Sequence, residues 1–92
     1  MSKSLVKAIQ VLDCFFEKPV MTINELTEMA GMPKTTVFRL ASGLEEAGLL
    51  VKERRSSHDV RYRMSLKFLK YGKYVSDQLE YTKIALPHMR KL

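Results

Sequence analysis

The sequence predicts a mainly α-helical fold with a small β-hairpin: a winged helix-turn-helix followed by a C-terminal linker helix. Three observations carry this. Thr22-Ile23-Asn24-Glu25 has the pattern of a capping box and opens a short helix that Gly31 can close. Pro33 follows almost at once, suited to the first turn of a second helix because its missing amide is not needed there. Two β-type segments then flank a basic loop over residues 49–64. Two helices across a tight turn, trailed by a hairpin, can offer one helix to a DNA major groove and the hairpin to the flanking backbone.

Ahead of these elements, Ser4 is placed to cap a helix over residues 5–17. Leu5, Ile9, Leu12 and Phe16 recur at helical spacing and form one apolar stripe, expected to face the domain. Ala8, Val11 and Phe15 form a second stripe beside it. One stripe suffices for a small domain, so the second is assigned to a subunit interface, with a thicker core as the alternative. Pro19 ends this helix or marks the loop after it.

The capped helix turns Ile23, Leu26 and Ala30 inward. The next helix is expected over residues 33–47, with Val37, Leu40, Ala41 and Leu44 in one arc of the helical wheel. Thr35, Arg39, Ser42 and Glu46 lie opposite, Thr36 and Phe38 sit on the flanks, and Gly48 is the stop signal. Residues 49–54 read as a strand and residues 55–59 as a loop. In residues 60–64, Val60, Tyr62 and Met64 alternate with Arg61 and Arg63. A linker helix follows over residues 66–79. Phe68, Gly72, Val75 and Leu79 form a short coiled-coil-like seam there, and Gly72 would permit close approach of a partner helix. Together with Ala8, Val11 and Phe15, this seam is the expected dimer interface. A last helical segment starts near Thr82, with Ala85, Met89 and Leu92 on one side and nothing left in these residues to pack against. The organisation read from this is a DNA-binding domain over residues 1–65, a linker helix over 66–81, and the opening of another domain over 82–92.

Ninety-two residues, 46% of them hydrophobic, suit one small domain with a modest core. No apolar run approaches the ~20 residues that cross a bilayer. The start Met1-Ser2-Lys3-Ser4 lacks the apolar stretch of a signal peptide, and the lone Cys14 has no disulfide partner within the chain. The expectation is a soluble cytoplasmic protein with no membrane contact. Its formal charge of +6 is unevenly placed. Residues 1–31 hold three lysines against four acids, whereas residues 32–63 hold seven basic residues against four acidic ones. Positive charge therefore begins at the candidate recognition helix, where phosphate binding would need it; a solvated basic surface is the plain alternative. Catalysis finds no support. Cys14, His58 and His88 sit in unrelated segments, and no metal-ligand spacing, phosphate loop or nucleophile motif occurs. No cofactor is expected.

Base edges specify a site, while phosphate contacts position the protein on it. Arg39 can offer a two-pronged donor to guanine O6 and N7. Thr35, Thr36 and Ser42 are short enough to let the helix sit deep, and Lys34 in the first turn suits a phosphate. Phe38 can touch a thymine methyl or pack against a neighbouring element. In the wing, Arg54, Arg55, Arg61 and Arg63 surround Ser56, Ser57 and His58. Such a tip can enter a minor groove or clamp phosphates. A charged hairpin edge can also serve only to prevent strand-to-strand aggregation. The competing reading of the whole is a winged helix used for protein contact, which would favour an apolar or acidic face on the third helix. A general architectural DNA binder is a further alternative, separated by its lack of site preference.

The chain resembles the N-terminal domain of the isocitrate-lyase-regulator (IclR) family of bacterial transcription regulators. The likeness runs through Ser4-Leu5-Val6-Lys7-Ala8-Ile9-Gln10-Val11-Leu12, Thr22-Ile23-Asn24-Glu25-Leu26 and Ala30-Gly31-Met32-Pro33-Lys34-Thr35-Thr36-Val37. It continues through Arg39-Leu40, Leu44-Glu45-Glu46-Ala47-Gly48-Leu49-Leu50 and Arg61-Tyr62-Arg63-Met64 to Leu69-Lys70-Tyr71-Gly72. The resemblance implies a winged-helix domain that binds a roughly palindromic double-stranded operator as a dimer, more often as a repressor than an activator. Lys34, Thr35, Thr36 and Arg39 would carry over as recognition-helix contacts. It also implies a following domain that binds a small-molecule effector, of which residues 82–92 would be the first helix; the pocket itself lies in no part of this chain. Three positions depart from the family pattern. Phe38 stands where His or Tyr is frequent, the wing loop lacks a glycine before its last strand, and Ser65 stands where glycine is frequent after it.

Overall fold

The computed structural model describes residues 3–81. In chain order its elements are α1 (Lys3–Asp13), a 3-10 turn (Cys14–Phe16), β1 (Val20–Thr22), α2 (Ile23–Ala30), α3 (Lys34–Glu46), β2 (Leu50–Ser56), β3 (Asp59–Met64) and α4 (Lys67–Tyr81). The strands form one antiparallel sheet in the order β1-β3-β2. The helical segment expected from Thr82, with Ala85, Met89 and Leu92, lies outside the described residues.

The capping box forms as its residue types dictate. The Glu25 amide donates to the Thr22 hydroxyl at 3.2 Å, and the Thr22 amide donates to Glu25 Oε1 at 2.9 Å. Lys18 pairs with the second carboxylate oxygen. That ammonium first, and the Thr22 amide second, hold the Glu25 carboxyl at about 2 against an ordinary 4.5. Because the folded value is the lower one, the stabilisation it brings is complete above pH 4.5 and is lost as pH falls toward about 2. Glu25→Gln should remove this segment from the pH profile of thermal stability. An unchanged acid limb in the variant would deny Glu25 its part. Gly31 closes α2 in the left-handed region, at φ 68°, its amide donating to the Thr27 carbonyl at 3.0 Å.

One buried group is left without a partner: among the described residues nothing hydrogen-bonds the Thr27 hydroxyl. An unsatisfied buried hydroxyl costs about 1–3 kcal/mol. Thr27→Val keeps the shape and removes that cost, so it should raise stability by about 1 kcal/mol. A lower melting temperature would show that the hydroxyl is satisfied after all.

The core lies between α1, α2, α3 and the inner face of the sheet. Val11, Leu12, Phe15, Met21, Leu26, Val37, Leu40, Ala41, Leu44, Leu50 and Tyr62 are all buried in it. Tyr62, on the central strand, pairs with Met21 of β1 and Lys52 of β2.

Several expectations need correction here. Lys3 is already helical, so Ser4 lies inside α1 rather than capping it. The two stripes of α1 largely exchange roles, although Leu12 of the first stripe is buried as expected. Ala8 packs against the core and Val11 and Phe15 are buried within it, so these three do not form a subunit interface. Leu5 and Ile9 face outward instead. At the tail of the helix, which tightens to a 3-10 turn after Asp13, Phe15 continues the buried side at 5% exposure while Phe16 points out at 78%. Pro33 precedes α3 as its N-cap instead of sitting in its first turn. β1 is an additional strand, which turns the expected hairpin into a three-stranded sheet. β2 runs on through Arg55 and Ser56, leaving only Ser57 and His58 as the turn. Finally, Phe68 packs against the domain's own core, whereas Gly72 and Val75 further along α4 are exposed.

Candidate nucleic-acid interface

Helix α3 is held by one face and leaves the other free. Val37, Leu40, Ala41 and Leu44 fix it to the core, so residues about 180° away on the wheel must look outward. Lys34, Thr35 and Arg39 are exposed, and Thr36 and Ser42 are half-buried. Phe38 is 52% exposed, which leaves its ring available at the flank of α3. Among the described residues no carboxylate pairs with Lys34 or Arg39. Lys34 also stands in the first turn of α3, where free amides and the helix dipole favour an anion. The expected recognition residues thus gather on one side of a single helix. Arg39 has a further environment that sequence alone does not show. It lines a largely apolar groove of about 500 Å³ between α1 and α3, together with Leu5, Ile9 and Gly43.

The wing is a longer and tighter ribbon than expected. β2 and β3 pair from Leu50 with Met64 to Ser56 with Asp59, and Arg55 is the extra residue of a bulge between Arg54 and Ser56. Two of its arginines are held by carboxylates in the wing itself. Arg61 Nε lies 2.8 Å from Asp59 Oδ1, and Arg55 lies 3.7 Å from Glu53. Arg54 and Arg63 have no ion pair among the described residues. Cross-strand register puts Arg54 on the face of Leu50 and Lys52, the face directed toward the helices. Ser57 and His58 are exposed at the tip.

Sequence reasoning missed Lys52. Its ammonium sits 3.8 Å from Glu45 of α3, joining the wing to the recognition-type helix. The signal that could have found it is its strand phase, since Lys52 shares the inner face with Leu50. Glu45 also acts on Tyr62, whose hydroxyl is pushed upward in pKa, first by burial and then by this negative charge.

The remaining titratable features do not make another centre. The Cys14 thiol is buried, donates to the Gln10 carbonyl at 3.4 Å, and is raised in pKa mainly by that burial, which opposes thiolate chemistry. Among the described residues no group of His, Cys, Asp and Glu is placed to hold a metal, and no helix is long and apolar enough to cross a membrane.

Comparison with known proteins agrees with this geometry. The IclR helix-turn-helix domain family matches residues 4–54. The chain is 41% identical over 91 residues to the HTH-type transcriptional regulator KipR of Bacillus subtilis, covering 99% of this chain and 35% of that protein. It is 29% identical over 92 residues to the DNA-binding transcriptional repressor YiaJ of Escherichia coli, covering 99% and 32%. The crystal structure of an IclR family transcriptional regulator from Brucella abortus superimposes with a TM-score of 0.74 at 26% identity, over 95% of this chain and 32% of that one. The chain therefore spans about a third of the length of the curated relatives it matches.

Proposed function

This chain belongs to the IclR family of transcription regulators, and we propose that it binds a palindromic operator as a homodimer, one α3 in the major groove of each half-site. The observation that carries this reading is Arg39, exposed and with no carboxylate paired to it among the described residues, on the outer side of a helix fixed by its opposite face. An arginine so held is suited to a guanine edge. Lys34, Thr35, Thr36, Phe38 and Ser42 surround it as base or phosphate contacts.

In the wing, Arg54 and the tip residues Ser56, Ser57 and His58 address the backbone or minor groove. Arg55 and Arg61 contribute from positions that Glu53 and Asp59 partly hold.

Dimer formation draws support from apolar surface left outside the core. Leu5, Val6 and Ile9 on α1 are exposed, as are Leu69, Tyr74 and Val75 on α4. Gly72, Val75 and Leu79 keep their expected place in the interface, while the α1 contribution moves to Leu5, Val6 and Ile9. Repression, the action named for YiaJ, is the sign of regulation adopted here. In this reading the protein acts in the cytoplasm as a regulator rather than as a catalyst.

The test is the affinity for duplex DNA across a salt series. Log affinity should fall linearly with log salt, by about 0.9 per phosphate contact neutralised. Absence of binding even at low salt would leave protein contact as the function of this face.

A further inference from the structure

The C-terminal end of α3 is closed in an unusual way for a helix so near the surface. A Schellman turn satisfies part of it. Gly48, at φ 84°, donates to the Glu45 carbonyl at 2.9 Å, and Leu49 donates to the Leu44 carbonyl at 2.8 Å. Just past the last turn, the carbonyls of Ala47, Gly48 and Leu49 are each filled from the segment that starts α4. The Lys67 ammonium donates to the Ala47 carbonyl at 3.0 Å, the Ser65 hydroxyl donates to the Gly48 carbonyl, and the Ser65 amide donates to the Leu49 carbonyl at 2.9 Å. The same Ser65 hydroxyl accepts the Lys67 amide at 3.2 Å, so it holds the start of α4 as well. The positive charge of Lys67 also lies at the negative end of the α3 dipole. Phe68, packed on the core, adds an apolar anchor one residue on.

We propose that Ser65 and Lys67 latch α4 to the C-terminal end of α3, fixing the direction in which α4 leaves the domain relative to the helix that enters the groove. Both are positioning residues. Resting on the reading above, in which α4 contributes to the dimer, the latch sets how far apart and at what angle two α3 helices stand. It thereby selects the spacing of operator half-sites, which rotate about the DNA axis with every base pair inserted. Helix α4 cannot change direction without releasing bonds at the end of α3, so a force on α4 reaches the DNA-contacting helix directly.

The experiment compares the 92-residue chain with the Ser65→Ala/Lys67→Met double variant and with the conservative Ser65→Thr/Lys67→Arg variant. Amide residual dipolar couplings are read first. In the parent chain, α3 and α4 should fit one common alignment. The double variant should keep the couplings of the domain body but lose the common alignment in α4, and the conservative variant should restore it. Unchanged α4 couplings in the double variant overturn the latch.

Affinity for a selected operator is then measured with its native spacing and with one or two base pairs inserted, alongside a single half-site. The parent should lose on the order of tenfold or more on insertion, and the double variant only about twofold, with half-site affinity equal in both. Freed α4 with spacing discrimination intact overturns the role in spacing, and a parallel loss of half-site affinity makes these residues ordinary DNA contacts. Failure of the parent to bind any duplex overturns the operator reading instead, and the couplings alone then decide the latch.

Discussion

Phe15→Ala is expected to destabilise the domain by about 3–5 kcal/mol, while Phe16→Ala next to it should stay within about 0.5 kcal/mol of the parent. The residues are chemically identical neighbours, but one is 5% exposed and the other 78%. Removing the buried ring takes apolar surface from the core and leaves a cavity in the cluster that also holds the fully buried Val11 and Met21. Small domains are stable by about 5–15 kcal/mol, so the first variant should melt far below the second. Thermal or urea unfolding followed by circular dichroism measures both. Equal losses would contradict the assignment of Phe15 to the core and Phe16 to the surface.

The second large effect concerns recognition. Arg39→Ala should reduce discrimination at one base step of the selected site by about 1–3 kcal/mol. Affinity for random duplex should fall far less, because phosphate contacts supply most of that binding. Arg54→Ala should do the reverse, weakening all sequences alike and lowering the salt slope by roughly 1. Binding isotherms on a panel of single-base operator variants separate the two patterns. If Arg39→Ala left the base preference untouched, its guanidinium would belong to the α1–α3 groove rather than to the DNA.

Features set by neighbouring residues were readable in the sequence. The capping box from Thr22 to Glu25 and the left-handed Gly31 depend on contacts within a few positions, and they appear as their residue types require. The inward arc of α3 was equally legible, since Val37, Leu40, Ala41 and Leu44 form its only broad apolar stripe. In α1 the same logic could not decide. Two adjacent stripes are both apolar, and the choice between them rests on how the helix docks against α2, α3 and the sheet, which bury Val11 and leave Leu5 and Ile9 exposed. Strand β1 was invisible for a different reason: it is three residues long and exists because Met21 meets Tyr62, a partner 41 positions later.

The candidate interface divides along the same line. Which residues α3 presents follows from periodicity, so the outward placement of Thr35 and Arg39 is legible in the sequence. Which charges remain available does not, because it depends on Asp59 meeting Arg61 and Glu53 meeting Arg55 across folded geometry. Ser65 and Lys67 show the limit most clearly. Their partners, Gly48 and Ala47, lie 17 and 20 positions away, and only the turn of the sheet brings them together.

Selection of this chain against a pool of randomised duplexes at moderate salt tests the central claim most directly. Enrichment over several rounds of a palindromic site, with half-sites separated by about one helical turn or a multiple of it, is the predicted result. Recovery of DNA with no enriched sequence would contradict sequence-specific recognition by α3, and recovery of no DNA at any salt would contradict a nucleic-acid function for this face.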